Sequence, residues 1–244
     1  MFDAGLISYI KKARKVAVLT GAGVSAESGV PTFRGEEGIW QKFKPEELAN
    51  FDAFMKNPDR VWEWYSMRKK MMSEVQPNAG HFALAKMEGY FPEFTLITQN
   101  IDNLHREAGS RNILELHGNI RRNYCVDCRK FYGDEDLLLG NKVPRCTCGG
   151  MIRPDVVWFG EMLPQEVLNA AFRAAENSEV FFSIGTSAVV YPAAMLPVAA
   201  YQRNALLIEI NPDETPITEV AHHHFSEPFA KALPDLVRAM GIES

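Results

Sequence analysis

The chain has 244 residues with 46% hydrophobic and 23% charged, an ordinary globular composition long enough to bury a core without disulfides, so repeat arrays and peptide-sized scaffolds are excluded. Its 26 Lys and Arg against 31 Asp and Glu leave a net charge of −5, which excludes a generally basic nucleic-acid binder. The longest apolar run of the N-terminal segment, residues 16–19, is too short to span a bilayer and follows no basic n-region, so the expected location is cytoplasmic, with no membrane partner.

Leu6, Ile7 and Ile10 are spaced for one face of a short helix, and Lys11, Lys12, Arg14 and Lys15 suit its C-terminal end. The apolar run at 16–20 predicts a strand buried on both faces, feeding directly into Gly21-Ala-Gly-Val-Ser-Ala26. Similar runs recur at 94–98, 113–116, 180–184 and 205–210, with helix-like segments between several of them. This alternation predicts an α/β fold with a parallel sheet. Two stretches interrupt it. Residues 31–86 hold a charged, glycine-containing loop, a helix predicted from Pro58 with Asn57 as N-cap, and another opened by Asn78. Residues 121–152 have weak periodicity, turn-forming residues and all four cysteines. Together they predict a small domain beside a larger one made of 1–30, 87–120 and 153–244.

Gly21-x-Gly23-x-x-Ala26 follows a predicted strand and precedes a helix-compatible segment, the context of a dinucleotide fingerprint. Gly21 would permit the tight turn, Gly23 the approach of a pyrophosphate and Ala26 close helix packing, with amides at the helix start facing phosphate. A plain glycine turn accommodates the same residues. The acidic residue expected about 20 positions on is missing; Arg34, Glu36 and Glu37 follow in a loop, where Arg34 suits a phosphate contact or an internal ion pair.

Gln99, Asn100 and Asp102 close the strand predicted at 94–98, placed either for ligand recognition at a strand end or as an ordinary helix cap. His117 ends the run at 113–116, where an imidazole can serve as general base or fill a structural role. The histidines at 222–224 alternate faces if extended and cannot converge on one metal, so a solvated or strand-edge role is expected. Cys125-x-x-Cys128 and Cys146-x-Cys148-Gly149-Gly150 look like two knuckles gripping one tetrahedral zinc, although the second pair is tighter than the usual spacing. Four thiolates leave no open position for metal catalysis. Tyr65 and Arg68 share a face of the helix predicted from Pro58 and could bind a carboxylate; a core tyrosine beside a solvated arginine is the alternative.

These segments together resemble the sirtuins, the NAD-dependent protein lysine deacylases. The resemblance rests on GAGVSAESGVPTFRG at 21–35, TQNID at 98–102, LHG at 116–118, the four cysteines, VVWFGE at 156–161, GTS at 185–187 and INP at 210–212. It implies an α/β fold in which a Rossmann-like NAD-binding domain carries a smaller inserted zinc-ribbon and helical domain. NAD would be co-substrate, and one structural Zn2+ would be held by Cys125, Cys128, Cys146 and Cys148. Gly21, Ala22, Gly23, Ser25 and Ala26 would meet phosphate and ribose, with Phe33 and Arg34 in a loop over the nicotinamide half and Trp40 among the cofactor contacts. Gln99, Asn100, Ile101 and Asp102 would line the nicotinamide pocket, and Gly185, Thr186 and Ser187 would receive phosphate and ribose. Asn211, Pro212 and Asp213 would take the adenosine ribose, and the backbone near Phe229 the adenine.

The implied reaction removes an acyl group from lysine and yields nicotinamide and O-acyl-ADP-ribose, with His117 as general base on a ribose hydroxyl and Asn100 beside it. The acylated peptide would pair as a strand between Val157, Trp158, Phe159, Gly160 and Glu161 and the segment 196–198. The sirtuins similar to desuccinylases carry tyrosine and arginine at the spacing of Tyr65 and Arg68, which implies succinyl as well as acetyl substrates. Partners would be acyl-lysine proteins, with no stable nucleic-acid binding. NAD-dependent ADP-ribosyl transfer and a non-enzymatic zinc-ribbon binding module are the alternatives.

Overall fold

The computed structural model describes residues 2–32 and 45–242; Phe33, Arg34 and Trp40 lie outside the described residues. Among the described residues nine strands are found: β1 (Lys15–Thr20), β2 (Glu93–Thr98), β3 (Ile113–Glu115), β4 (Gly118–Cys125), β5 (Phe131–Gly133), β6 (Ile152–Val156), β7 (Val180–Ile184), β8 (Leu206–Ile210) and β9 (His223–Phe225). Six of them form one parallel sheet in the order β3-β2-β1-β7-β8-β9. Counted among themselves, these strands follow the doubly wound order, in which the chain runs outward from β1 on one side and from β7 on the other. A crevice therefore opens at the carboxyl ends of β1 and β7, where Thr20 pairs with both Thr98 and Ile184.

The central strands read as apolar runs because both faces are covered. On one face Val16, Val18, Phe182 and Ile208 pack against the helices Ala4–Lys12, Ala79–Tyr90 and Phe229–Ala239. On the other, Ala17, Leu19, Phe181 and Leu207 pack against Gln165–Asn177 and Met195–Gln202. The helix starts follow from local chemistry. Asp3 accepts from the Leu6 amide, Asn57 from Arg60 and Asn78 from Gly80, each satisfying a donor that the first helical turn leaves open. The three consecutive histidines fall at the sheet edge: Nδ1 of His222 accepts from the Leu207 amide at 3.0 Å, and His224 bonds the Asn211 carbonyl at 3.0 Å.

The remaining strands form an antiparallel sheet in the order β5-β4-β6. It spans Gly118 to Val156, wider at both ends than 121–152, because β4 begins directly after His117. The helix Pro58–Ser73 lies along it. Asp59 accepts from the Val143 amide at 2.9 Å, Ser66 from Gly140 at 3.3 Å, and buried Lys69 donates to Asp134 at 2.5 Å and to the Ile120 carbonyl.

Candidate active site

A cleft of about 610 Å³ opens over the carboxyl ends of β1, β2 and β7 and reaches the helix Pro58–Ser73 and the segment after β6. One wall is a turn that glycine alone can form. A Cβ on Gly21 would stand 2.8 Å from Thr186, and one on Gly23 would stand 2.8 Å from Gly185, so the two strand-end loops touch backbone to backbone. The Gly23 amide donates to the Gly185 carbonyl at 2.8 Å, and Gly185 itself has a φ of +57°. The contact of loop against loop thus requires both glycines, neither of which has a positive φ. Ala26 also departs from expectation. The helix Gly23–Ala26 ends there after four residues, so the Ala26 side chain is exposed instead of packed between elements.

Polar side chains knit the floor. Asn100 donates to the Gly21 carbonyl at 3.0 Å and to Ser25 at 3.1 Å, and Ser25 donates to Asp102 at 2.7 Å. Asp102 also accepts from the Leu104 amide, while burial raises the pKa of its carboxyl. Gln99 donates to Thr186 at 2.9 Å, and Asn211 donates to the Thr186 carbonyl at 2.9 Å, joining the loops after β2, β7 and β8.

His117 stands where β3 ends and β4 begins, on the cleft wall. Its Nδ1 lies 2.9 Å from the Gln99 carbonyl. A carbonyl only accepts, so Nδ1 carries the proton in the neutral ring and Nε2 keeps its lone pair, the tautomer a base needs. Burial lowers the pKa of the imidazole, opposed by the Gln99 bond, and favours the neutral ring at neutral pH.

Tyr65 and Arg68 line the same cleft from the helix Pro58–Ser73, both buried. The Tyr65 hydroxyl accepts from the Trp158 indole at 2.8 Å, and the Arg68 guanidinium lies 4.9 Å from the Trp64 ring centroid. Burial lowers the Arg68 pKa, while Tyr65 and Asp102 favour its charged form. Val157, Trp158, Phe159, Gly160 and Glu161 form the opposite lip. They are braced from behind by Arg153, which bonds both Glu161 oxygens and lies 3.4 Å from the Trp158 ring centroid. The Val157 amide donates to the His117 carbonyl at 3.0 Å, fixing this lip to the backbone of His117.

Away from the cleft, the Sγ atoms of Cys125, Cys128, Cys146 and Cys148 all lie within 4.8 Å of one another. The pairs Cys125–Cys148 and Cys128–Cys146 are each 3.5 Å apart. A tetrahedral zinc with bonds of about 2.3 Å needs sulfurs about 3.8 Å apart, which this spacing brackets. The short second knuckle closes because Gly149 has a φ of +92° and the Cys146 amide bonds the Gly150 carbonyl at 2.8 Å. A Cβ on Gly150 would come within 2.6 Å of the Cys125 sulfur, so glycine there keeps the metal position open.

The model of the Sir2 family matches residues 21–192. A relative from Aquifex aeolicus named NAD-dependent protein deacylase is 53% identical over 87% of this chain and 89% of its own. The chain belongs to the Sir2 family. A solved Sir2 homologue in complex with NAD superposes with a TM-score of 0.91 at 45% identity, covering 100% of this chain and 96% of that one. A Sir2 structure with a p53 peptide and NAD+ gives 0.90 at 34% identity, covering 100% of both chains.

Within the Sir2 fold, the cleft gathers Gly21, Ala22, Gly23, Gln99, Asn100, Ile101, His117, Gly185, Thr186, Ser187, Asn211 and Asp213, together with Tyr65, Arg68 and the 157–161 lip. Ser25 and Asp102 stand one layer behind Asn100. Pro212 is exposed next to the cleft-lining Asn211. Phe229 lies elsewhere, its ring buried edge-on to His81 and close against Gly80. One expectation is corrected. Residues 196–198 belong to the helix Met195–Gln202, with Leu196 and Pro197 buried, so their backbone is not available to pair with a peptide strand. From that part of the chain the cleft is lined instead by Val190 and Tyr191. The sequence pattern also leaves Thr32, Ala49, Trp64, Leu163, Glu214 and Thr215 unmarked. The turn formers at 211–216, following a buried strand, would have pointed to Glu214 and Thr215; no local pattern marks Val190 or Tyr191.

Proposed function

We propose that this chain, an NAD-dependent protein deacylase by family, removes acidic acyl groups such as succinyl as well as acetyl from lysine side chains of proteins. The observation that carries the acyl choice is the buried pair of Tyr65 and Arg68 lining the cleft that also holds His117. A guanidinium in a water-poor pocket presents forked donors to a carboxylate, and Tyr65 adds a hydroxyl beside it. NAD, the co-substrate, occupies the crevice between the ends of β1 and β7, supported by the NAD complex of the related Sir2 structure.

In the proposed reaction the acyl oxygen of lysine displaces nicotinamide from the ribose carbon, His117 Nε2 takes the proton of a ribose hydroxyl whose oxygen then attacks the former acyl carbon, and water expels the lysine amine, leaving nicotinamide, O-acyl-ADP-ribose and free lysine. Asn100 holds the Gly21 turn against the nicotinamide side. Arg153 keeps the 157–161 lip in place for the peptide, and a peptide substrate is supported by the related Sir2 structure with a p53 peptide and NAD+. The cysteine cluster holds one structural zinc and takes no chemical part. The chain divides into an NAD domain of 1–30, 87–120 and 153–244 and a small domain of 31–86 and 121–152, and it acts in the cytoplasm.

The test is mass spectrometry on paired acetyl-lysine and succinyl-lysine peptides, with and without NAD. The wild type is expected to remove both groups only with NAD, and His117→Ala neither. Arg68→Met should lose desuccinylation by at least about tenfold, the worth of one charge-assisted bond, and keep deacetylation. Equal loss of both activities in Arg68→Met would overturn the acyl assignment. Radiolabel from NAD left covalently on protein, with no acyl loss, would replace deacylation by ADP-ribosyl transfer.

A further inference from the structure

Glu209 is a carboxylate inside the large sheet, 1% exposed, in β8 beside Ser183 of β7. Its partners across the neighbouring strands are Ser183 and His224, and Phe181 and Leu207 stand two positions back along β7 and β8. Burying a carboxylate there is unfavourable unless hydrogen bonds compensate. Two hydroxyls supply them: Thr215 donates to Oε1 and Thr218 to Oε2, each at 2.5 Å, the short distance of a charge-assisted bond. Those threonines also close a turn on each other. The Thr215 amide donates to the Thr218 hydroxyl at 2.8 Å, and the Thr218 amide to the Thr215 carbonyl at 3.0 Å.

The outer side of that turn is cleft wall. Asn211, Asp213, Glu214 and Thr215 line the cleft, whereas Glu209 and Thr218 do not. The start of the loop is tied to its neighbours by Asn211 to the Thr186 carbonyl, His224 to the Asn211 carbonyl and Ser226 to the Pro212 carbonyl, and its far end is held by the two threonines to the buried carboxylate. We infer that Glu209 is a positioning residue for NAD: through Thr215 and Thr218 it holds the loop after β8 in the shape that receives the dinucleotide. The inference rests on NAD lying in the crevice between β1 and β7. It predicts that loosening the clamp weakens NAD binding while sparing the acyl-peptide side, which is built from other elements.

The experiment uses the full-length, zinc-loaded enzyme and an acetyl-lysine peptide, varying NAD and peptide in turn. Thr218→Val keeps the side-chain shape and removes the hydroxyl at a position outside the cleft wall. Its KM for NAD is expected to rise about tenfold, the effect of one bond to a charged group, with peptide KM and kcat little changed. Thr218→Ser should restore the wild-type KM, and Glu209→Gln, which retains one strong acceptor, should fall between. If KM for NAD stays within about twofold of wild type while the thermal midpoint drops, Glu209 is a scaffold residue only and the inference is overturned. A parallel rise in both KM values overturns it as well. Should Thr218→Val fail to fold, Glu209→Gln carries the same readout. Should the wild type show no turnover, calorimetric ADP-ribose binding to the same variants tests the clamp apart from the deacylase reading: tenfold weaker binding supports it and unchanged binding overturns it.

Discussion

The six-stranded sheet buries apolar side chains on both faces, Val18 and Phe182 on one and Leu19 and Phe181 on the other, while the cluster inside the three-stranded sheet consists of Cys125, Cys146 and Ile152 with Tyr132 and Leu137 beside them. Apolar burial grows with the area removed from water, so the first sheet holds itself together, while the second leans on the seam through Ile120 and Val156 and carries four cysteines grouped as they would be around one metal ion. The seam between them is a third cluster, in which Trp64, Tyr65 and Trp158 pack with Ile101 and Leu104. The Tyr65 and Arg68 side of the cleft lies on that seam, and the strand-end loops of the large sheet form the rest. The difference teaches that one cleft is assembled from the strand-end loops of a sheet with its own core and from an apolar seam on which the cysteine-bearing sheet also rests.

The largest expected effect comes from breaking the ligation. Zinc removal by a chelator, or Cys128→Ser, should forfeit roughly 10 kcal/mol of metal-coupled folding energy in the small sheet. Hydrogen exchange should then become fast across β4 and β6 and remain slow in β1, β2 and β7. Simultaneous loss of protection in both sheets would erase the contrast.

Acid should act on the other region. His81 is buried in the helix Ala79–Tyr90, and desolvation lowers its pKa to about 4. In the unfolded chain it titrates near 6.5, so between those values the unfolded state binds more protons and stability rises with pH. Its contribution, about 3 kcal/mol, is full above pH 6.5 and is lost as pH falls toward 4. Urea midpoints from pH 7 to 4 should show this slope in the wild type and a shallower one in His81→Gln; identical slopes would place the acid sensitivity elsewhere.

The smallest effect belongs to the seam. Tyr65→Phe removes the acceptor of the Trp158 indole and should destabilise by about 1–2 kcal/mol, read by equilibrium unfolding. No change would mean that the indole finds another acceptor and that packing alone joins the two regions.

Much of the large sheet was legible because strands buried on both faces are continuous apolar runs. β1, β2, β7 and β8 announce themselves in this way, the half-buried edge strand β3 shows as the run at 113–116, and Asn57 and Asn78 announce the helices they cap. β9 did not, since three residues at a sheet edge carry too little pattern. In the small sheet, the cysteine spacing was readable but the strands were not, because ligation replaces the apolar periodicity that normally marks a strand.

Sequence alone determined the family motifs, the parallel α/β architecture and the four-cysteine grouping, since each is written in local spacing or in the hydrophobic alternation of single segments. Only the tertiary structure decided that Gly21 and Gly23 answer to the Gly185–Thr186 loop, that residues 196–198 are helical, and that Glu209 reaches across to Thr215 and Thr218. Those facts depend on distance between segments far apart in the chain or on which face a buried side chain takes, and neither is encoded in any short window of residues.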